Sequence, residues 1–375
     1  MLRHFALLLW FAAATDSAPP QVVTIDRDSR GVTQEMRSLA VHVGGRVEMR
    51  AQNYRHQWPG VYFESTFKGD RVILRFDDAI NEYRAQIDDM PVVTLDRPGR
   101  SDVTIAALGS GAHRIRLDKV TESDTPTTFG GFYVPAGNVL PSPPARRRQI
   151  EFIGDSSMTG YGARSDKREC SSEEVRRTTD TPRAFAALTA RHYGADYQVN
   201  AISGRGLVRN YGGAVPDLAM ARIYPRLFPS RPLPAYSDRG WRPQIVMIKL
   251  QADFIGFKPE VRWKDFDALV ADYVESMGRF IADLHRRAPD AAILLWWFDT
   301  SRASAAERAM IDSAETRIGD AARKIGAPSI TFLPFTGTGI GNSGCHFHFN
   351  IEEQRKVADW LQLQIDAHPE YWRGR

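Results

Sequence analysis

Three short segments hold residue types suited to acyl transfer. In Phe152-Ile153-Gly154-Asp155-Ser156-Ser157-Met158-Thr159-Gly160-Tyr161-Gly162, a serine follows an apolar run and a glycine. A serine at the end of a buried strand can present its hydroxyl and its own backbone N–H to one substrate carbonyl. That is what a nucleophile with half an oxyanion hole needs. Alone, Gly-Asp-Ser is also a common turn. The second segment is Asn200-Ala201-Ile202-Ser203-Gly204-Arg205-Gly206, where Gly204 could turn an N–H into the same crevice or simply close a tight turn. The third, Gly344-Cys345-His346-Phe347-His348-Phe349-Asn350, brings histidines just before the last helix, and one of them beside Ser156 would be a general base. Histidines two apart can also suggest a metal. No carboxylate or cysteine cluster accompanies them at ligand spacing, so neither metal nor cofactor is assigned.

These segments must be positioned by strands and helices. From Ser38 to Val134 the chain runs in short alternating stretches rich in Val, Ile, Phe, Tyr and Thr, such as Val61 to Phe67, Arg71 to Phe76 and Arg84 to Ile87. Turn signals separate them and no ten-residue helical pattern intervenes, which predicts an antiparallel β-sandwich of the jelly-roll kind over residues 19–134. Residues 135–148, with Pro135, Pro141, Pro143 and Pro144 before Arg146-Arg147-Arg148, read as a stiff, solvated linker. Over residues 149–375 the pattern becomes α/β. Apolar strands are expected at Gln149 to Ile153, Asp196 to Ile202, Gln244 to Leu250, Ala291 to Phe298 and Ser329 to Leu333. Between and after them come helices at Arg183 to Tyr193, Phe266 to Leu284, Ala303 to Lys324 and Ile351 to Ile365. Phe266, Leu269, Val270, Tyr273, Val274, Met277, Phe280, Ile281 and Leu284 make one apolar stripe on the long helix. Such alternation predicts a parallel sheet covered on both faces, with its site at the carboxyl ends of the strands.

The 375 residues suit two domains, and 43% hydrophobic with 25% charged residues excludes disorder, collagen and coiled coil. Lys+Arg 49 against Asp+Glu 45 leaves a net charge of +4. That is too even a balance for a nucleic-acid counter-ion and is better matched to a neutral polymer. Arg3, the apolar run Phe5 to Ala14 and small residues beyond it read as a secretory signal peptide over residues 1–18, so the mature protein is expected to be secreted or periplasmic. No later stretch is apolar enough to span a bilayer. The two cysteines, Cys170 and Cys345, either pair in an oxidising compartment or remain buried thiols. Oligomeric state leaves no trace.

Together the three loops resemble those of the SGNH hydrolases, serine esterases with a three-layer α/β/α domain. The Gly154-Asp155-Ser156 block, the Gly204 segment and the His348 segment carry the likeness. With Trp58-Pro59-Gly60-Val61-Tyr62-Phe63-Glu64, Tyr224-Pro225 and Gly344-Cys345 added, the chain resembles carbohydrate esterase family 2 across both domains. That family joins a jelly roll to an SGNH domain and removes O-acetyl groups from plant polysaccharides or sugars. The resemblance implies Ser156 as nucleophile, His348 as base, and the N–H groups of Ser156 and Gly204 as oxyanion donors. Asp155 would act in catalysis or merely brace its loop.

Two departures bear on activity. The family's third block, Leu-Gly-Thr-Asn-Asp-Phe, reads here Leu250-Gln251-Ala252-Asp253-Phe254, so the oxyanion-donating asparagine is missing and Gln251 is the candidate substitute. The usual aspartate before the histidine is replaced by Cys345 and His346, and the usual following proline by Phe349. A backbone carbonyl is then left to orient His348, and family members are known to work with a serine–histidine dyad. Tyr161, Tyr211 and Phe347, with Trp58 and Tyr62, are aromatic candidates for contact with sugar rings, core packing being the commoner role for each. The resulting expectation is a deacetylase acting on acetylated polysaccharide or oligosaccharide. Its rivals are a carbohydrate-binding or cell-surface protein with impaired catalysis and, more weakly, an acyltransferase or lipid esterase, which would need an apolar acyl groove.

Overall fold

The structure is a computed structural model that describes residues 21–27, 31–326 and 330–373; the expected leader lies outside them. Twelve strands come first: β1 (Gln21–Arg27), β2 (Met36–Ser38), β3 (His42–Gly44), β4 (Val47–Arg50), β5 (Asn53–His56), β6 (Tyr62–Lys68), β7 (Val72–Asp78), β8 (Glu82–Ile87), β9 (Met90–Asp96), β10 (Gly99–Ala106), β11 (Ala112–Lys119) and β12 (Thr127–Pro135). They form two antiparallel sheets, one in the order β1-β10-β7-β12-β5-β4 with β2 on β12, the other β3-β6-β11-β8-β9. Every second residue turns inward, so Leu74 and Phe76, Tyr83 and Ile87, Ile115 and Leu117, and Phe63 and Phe67 fill the space between the sheets.

The other face of the β3-β6-β11-β8-β9 sheet is polar, yet it is covered by the second domain. Arg116 on β11 is bound to Glu64 and Asp118, each at 2.7 Å, and its guanidinium lies 4.0 Å from the Tyr62 ring centre. Arg84 on β8 meets Asp180 at 2.7 Å. Arg146, expected to be solvated in a linker, instead bridges Glu64 and Asp196 at 2.8 Å each, because two carboxylates face one another across the interface and require a cation. Trp58 and Tyr62 are likewise not sugar contacts. Trp58 is 1% exposed inside the core of the second domain, and fully buried Tyr62 donates its hydroxyl to Asp196 at 2.6 Å.

The second domain contains β13 (Gln149–Gly154), α1 (Ser156–Thr159), α2 (Ser172–Thr178), α3 (Phe185–His192), β14 (Asp196–Ala201), α4 (Met220–Ile223), β15 (Ile245–Lys249), α5 (Phe266–Arg287), β16 (Ala292–Trp297), α6 (Ala305–Lys324), β17 (Ile330–Pro334) and α7 (Ile351–Asp366). Its five strands are parallel in the order β14-β13-β15-β16-β17. On one face Ile153, Ile248 and Leu295 pack on α5 and α6; on the other Phe152, Met247 and Leu294 pack on α3 and α7. This is the three-layer α/β/α arrangement. Strand order reverses between β13 and β15, so the loops after these two strands diverge and leave a crevice.

Arg46, fully buried, is the deepest cross-domain cation. Its guanidinium lies 3.2 Å from Glu151, accepts the rings of Tyr224 and Tyr236 on its faces at 4.5 and 4.3 Å, and donates to Gln198. Glu151 also accepts from Tyr224, Asn200 and Trp241. Burial pushes its carboxyl up, but Arg46, Arg287 and these donors hold it below the ordinary value. Removing one partner strands a buried charge, at a cost of about 3–5 kcal/mol. Arg46→Met is therefore expected to lower the thermal midpoint sharply, and Arg46→Met/Glu151→Gln to recover part of the loss. Equal midpoints for wild type and Arg46→Met would refute this.

Candidate active site

Ser156 opens α1 directly after β13. Asp155 caps this one-turn helix by accepting the Ser157 N–H at 3.0 Å, and pairs with Lys249 at the end of β15 at 3.0 Å. Asp155 therefore braces the loop, and makes no hydrogen bond to His348 that the structure records. Lys249 was missed by sequence reasoning, although a lysine ending the apolar run Ile245–Lys249 is a signal in itself.

His348 Nε2 lies 2.7 Å from Ser156 Oγ. On its other side Nδ1 is 3.0 Å from the Cys345 carbonyl and 3.1 Å from that of His346. Carbonyl oxygens only accept, so Nδ1 carries the proton and Nε2 presents its lone pair to the serine hydroxyl. Two carbonyls thus do the orienting that an aspartate does in a triad. Burial lowers the His348 pKa from its ordinary value, with Lys249 acting in the same direction and the two carbonyls and the charge of Asp155 opposing.

Those carbonyls are held from several directions. Cys345 is disulfide-bonded to Cys170, with Cα atoms 5.6 Å apart. The His346 ring bridges the Tyr161 hydroxyl at 2.9 Å and the Cys170 carbonyl at 2.8 Å, and Arg168 donates to the carbonyls of Gly341 and Asn342. His346 and Phe347 both have positive φ, 51° and 62°, which costs about 1–3 kcal/mol each for such residues. Gly162 gives way to this loop: at φ +60° it leaves no room for a Cβ, which would sit 2.4 Å from that of Cys345. Below, Asn350 caps α7, and Glu353 completes the capping box by accepting the Asn350 N–H while also accepting the N–H groups of Gly341 and Ser343.

A cleft of about 860 Å³ collects Ser156, Tyr161, Gly204, Tyr211, Gln251, Phe347 and His348. The sequence-derived site residues other than the cysteines, Trp58 and Tyr62 therefore meet in one place. Gly204 adopts φ +74°, the left-handed region that a residue without Cβ enters freely. Asp253, also missed, accepts the N–H groups of Leu207, Val208 and Arg209 at 2.7–2.9 Å and so holds the segment following Gly204. Tyr211 and Phe347 are 58% and 67% exposed at the cleft, whereas the Tyr161 ring packs 4.4 Å from that of His348. A second recess of about 640 Å³, lined by Phe254, Phe266, Val270, Trp297, Phe298 and Ile311, shares Trp297, Phe298 and Asp299 with the cleft. No continuous apolar run marks it, because α5, α6 and the end of β16 each contribute a few residues.

A serine at the switch point of a parallel sheet, hydrogen-bonded to a histidine from the loop before the last helix, defines an SGNH-type hydrolase domain behind a jelly roll. The carbohydrate esterase 2 N-terminal family matches residues 43–144. An acetylxylan esterase / glucomannan deacetylase of Cellvibrio japonicus is 37% identical over 342 residues, 89% of this chain and 92% of that protein. A solved carbohydrate esterase, described for the divergent catalytic and non-catalytic binding functions of its active site, superposes with TM-score 0.80 at 36% identity, covering 90% of this chain and 100% of the other. A family two carbohydrate esterase from Clostridium thermocellum in complex with cellohexaose shares the fold, with TM-score 0.71 at 22% identity over 88% of this chain and 100% of the other. The chain belongs to carbohydrate esterase family 2 and is a carboxylic ester hydrolase.

Two outcomes follow from the site. Because the lowered pKa of His348 keeps its ring neutral to below pH 6.5, kcat/KM for an aryl acetate should rise with pH to a plateau reached by about neutrality, with its midpoint below 6.5. A midpoint above 7 would contradict this. Cys170→Ser/Cys345→Ser should lower kcat more than it raises KM, since it frees the carbonyl that aligns the base; unchanged kinetics would show that the noncovalent contacts suffice.

Proposed function

We propose that this protein is an exported serine esterase that removes O-acetyl groups from carbohydrate such as xylan or mannan. The observation that carries the reading is the 2.7 Å contact of Ser156 Oγ with His348 Nε2 inside an aromatic-rimmed cleft. The names of its relatives and the near-balanced charge support the substrate class.

In this reading Ser156 Oγ attacks the acetyl carbonyl carbon while His348 Nε2 takes the hydroxyl proton. The oxyanion is received by the N–H groups of Ser156 and Gly204 and by the Gln251 side-chain amide. The C–O bond to the sugar breaks, the sugar oxygen takes the proton from His348, and acetyl-Ser156 remains. Water then attacks this ester as His348 accepts its proton, and acetate departs as the proton returns to Ser156. Asp155 and Lys249 hold the nucleophile's turn; Tyr211 and Phe347 offer faces for sugar rings.

The test is acetate release from acetylated xylan, acetylated mannan and a small aryl acetate by the mature protein. Ser156→Ala and His348→Ala should each abolish all but a residual rate, and equal rates for wild type and Ser156→Ala would overturn the reading. Gln251→Ala should cost on the order of 100-fold in kcat if its amide replaces the missing asparagine. An unchanged rate would assign the oxyanion to the two backbone donors alone.

A further inference from the structure

The sandwich reaches the catalytic loops through one carboxylate, Glu122, in the turn after β11. Its Oε1 accepts the Ser203 N–H at 2.8 Å, and its Oε2 accepts the Thr159 hydroxyl at 3.0 Å and the Ser203 hydroxyl as well. Thr159 closes the one-turn helix that Ser156 opens, and its hydroxyl also lies 3.1 Å from the Ser156 carbonyl oxygen. Ser203 immediately precedes Gly204. A single side chain from the other domain therefore ties the segment bearing the nucleophile to the segment bearing the second backbone donor.

The turn that carries Glu122 is itself anchored. Lys119 donates to Ser123 Oγ at 2.8 Å and to the Gln57 carbonyl at 2.5 Å. Val120 donates to the Glu82 carbonyl at 2.8 Å, and its own carbonyl accepts the Thr181 N–H at 3.0 Å. The side chain is thus held from the sandwich and from the α/β domain together. The other backbone ties of the segment it grips, Arg205 N–H to the Ile202 carbonyl at 3.1 Å and Tyr211 N–H to the Gly204 carbonyl at 2.9 Å, leave the Ser203 N–H to Glu122. The Gly204 N–H belongs to the Ser203–Gly204 peptide, so its direction depends on how Ser203 is set, and Glu122 fixes Ser203 from two sides by accepting both its N–H, in the preceding peptide, and its hydroxyl. Among the described residues, its hydrogen-bond donors all lie on these two catalytic segments, and Lys119 on β11 supplies a nearby positive charge that counters the rise in its pKa caused by burial.

We propose that Glu122 is a positioning residue of the esterase, contributed by the sandwich, which sets the spacing between Ser156 and the oxyanion-binding N–H of Gly204. The proposal rests on the esterase reading above. It gives the N-terminal domain a role in turnover rather than only in stability or sugar binding. A carboxylate suits the role because it has two acceptor oxygens and no proton of its own to satisfy, so three donors can converge on it.

Kinetics on an aryl acetate, thermal midpoints and hydrogen–deuterium exchange over the peptide containing Ser203 and Gly204 would be measured for wild type, Glu122→Gln and Glu122→Ala. Misplacing a catalytic group by about 1 Å can cost on the order of 100-fold in rate. Glu122→Ala should therefore lose on the order of 100-fold in kcat with KM within about twofold of wild type. Glu122→Gln, which keeps an acceptor for the Ser203 N–H, should lose less. Exchange of the Ser203 segment should quicken in the same order. If Glu122→Ala fails to fold, Glu122→Gln with Ser203→Ala and Thr159→Val carries the test, each removing one donor or acceptor. A lowered thermal midpoint with unchanged kcat and unchanged exchange would overturn the proposal. Wild type that exchanges as expected but releases no acetate would overturn the esterase reading instead, and the exchange comparison would still decide whether Glu122 holds the segment.

Discussion

The polar outer face of the β3-β6-β11-β8-β9 sheet is the constraint on which the rest of the molecule depends. An antiparallel sheet normally leaves such a face to water. Here it is buried against the second domain, so each charge on it needs a partner. Arg116 finds Glu64 and Asp118, Arg84 finds Asp180, and Arg46 reaches past the sandwich to Glu151 at the centre of β13. Incomplete pairing in this interface would be costly, which gives the docking one geometry rather than many. Glu122 lies on the same interface, and so the docking geometry extends to the catalytic loops.

Orientation of the base is solved without a carboxylate. Asp155 acts on the His348 ring only through its charge and makes no recorded hydrogen bond to it, so the orientation of the ring rests on backbone geometry. The carbonyls of Cys345 and His346 supply that geometry only while the loop holds two residues in the left-handed region. The disulfide, the His346 ring between Tyr161 and Cys170, the Arg168 contacts and the Glu353 contacts offset that strain from four sides. The neighbouring Asp155 is engaged by Lys249, which keeps its charge directed at the serine's turn.

Much of the fold was legible because hydrophobic periodicity is a local property. The stripe from Leu269 to Leu284 becomes the buried face of α5, and the apolar runs become the five parallel strands. The sequence left matters open, or misled, where a residue's surroundings come from far along the chain. Trp58 and Tyr62 read as core or as sugar contacts, and the α/β domain closing over them decides for core. Arg146 stands in a proline-rich polar stretch, and only the folded chain places Glu64 and Asp196 on either side of it. The apolar recess beside the cleft was hidden for the same reason.

What the sequence determined by itself was the order of elements and the candidate reacting groups: a serine after β13, a glycine after β14, a histidine before α7 and no carboxylate in the positions just ahead of it. Those follow from residue type and spacing, which act within a few residues. Tertiary structure alone decided that Ser156 and His348, 192 positions apart, stand 2.7 Å from one another, that Cys170 lies beside Cys345, and that Lys249 and Glu122 face the nucleophile's loop. Hydrogen bonds and ion pairs form only within about 3–4 Å, so these partners exist only once the sheet order and the docking of the two domains have brought distant segments together.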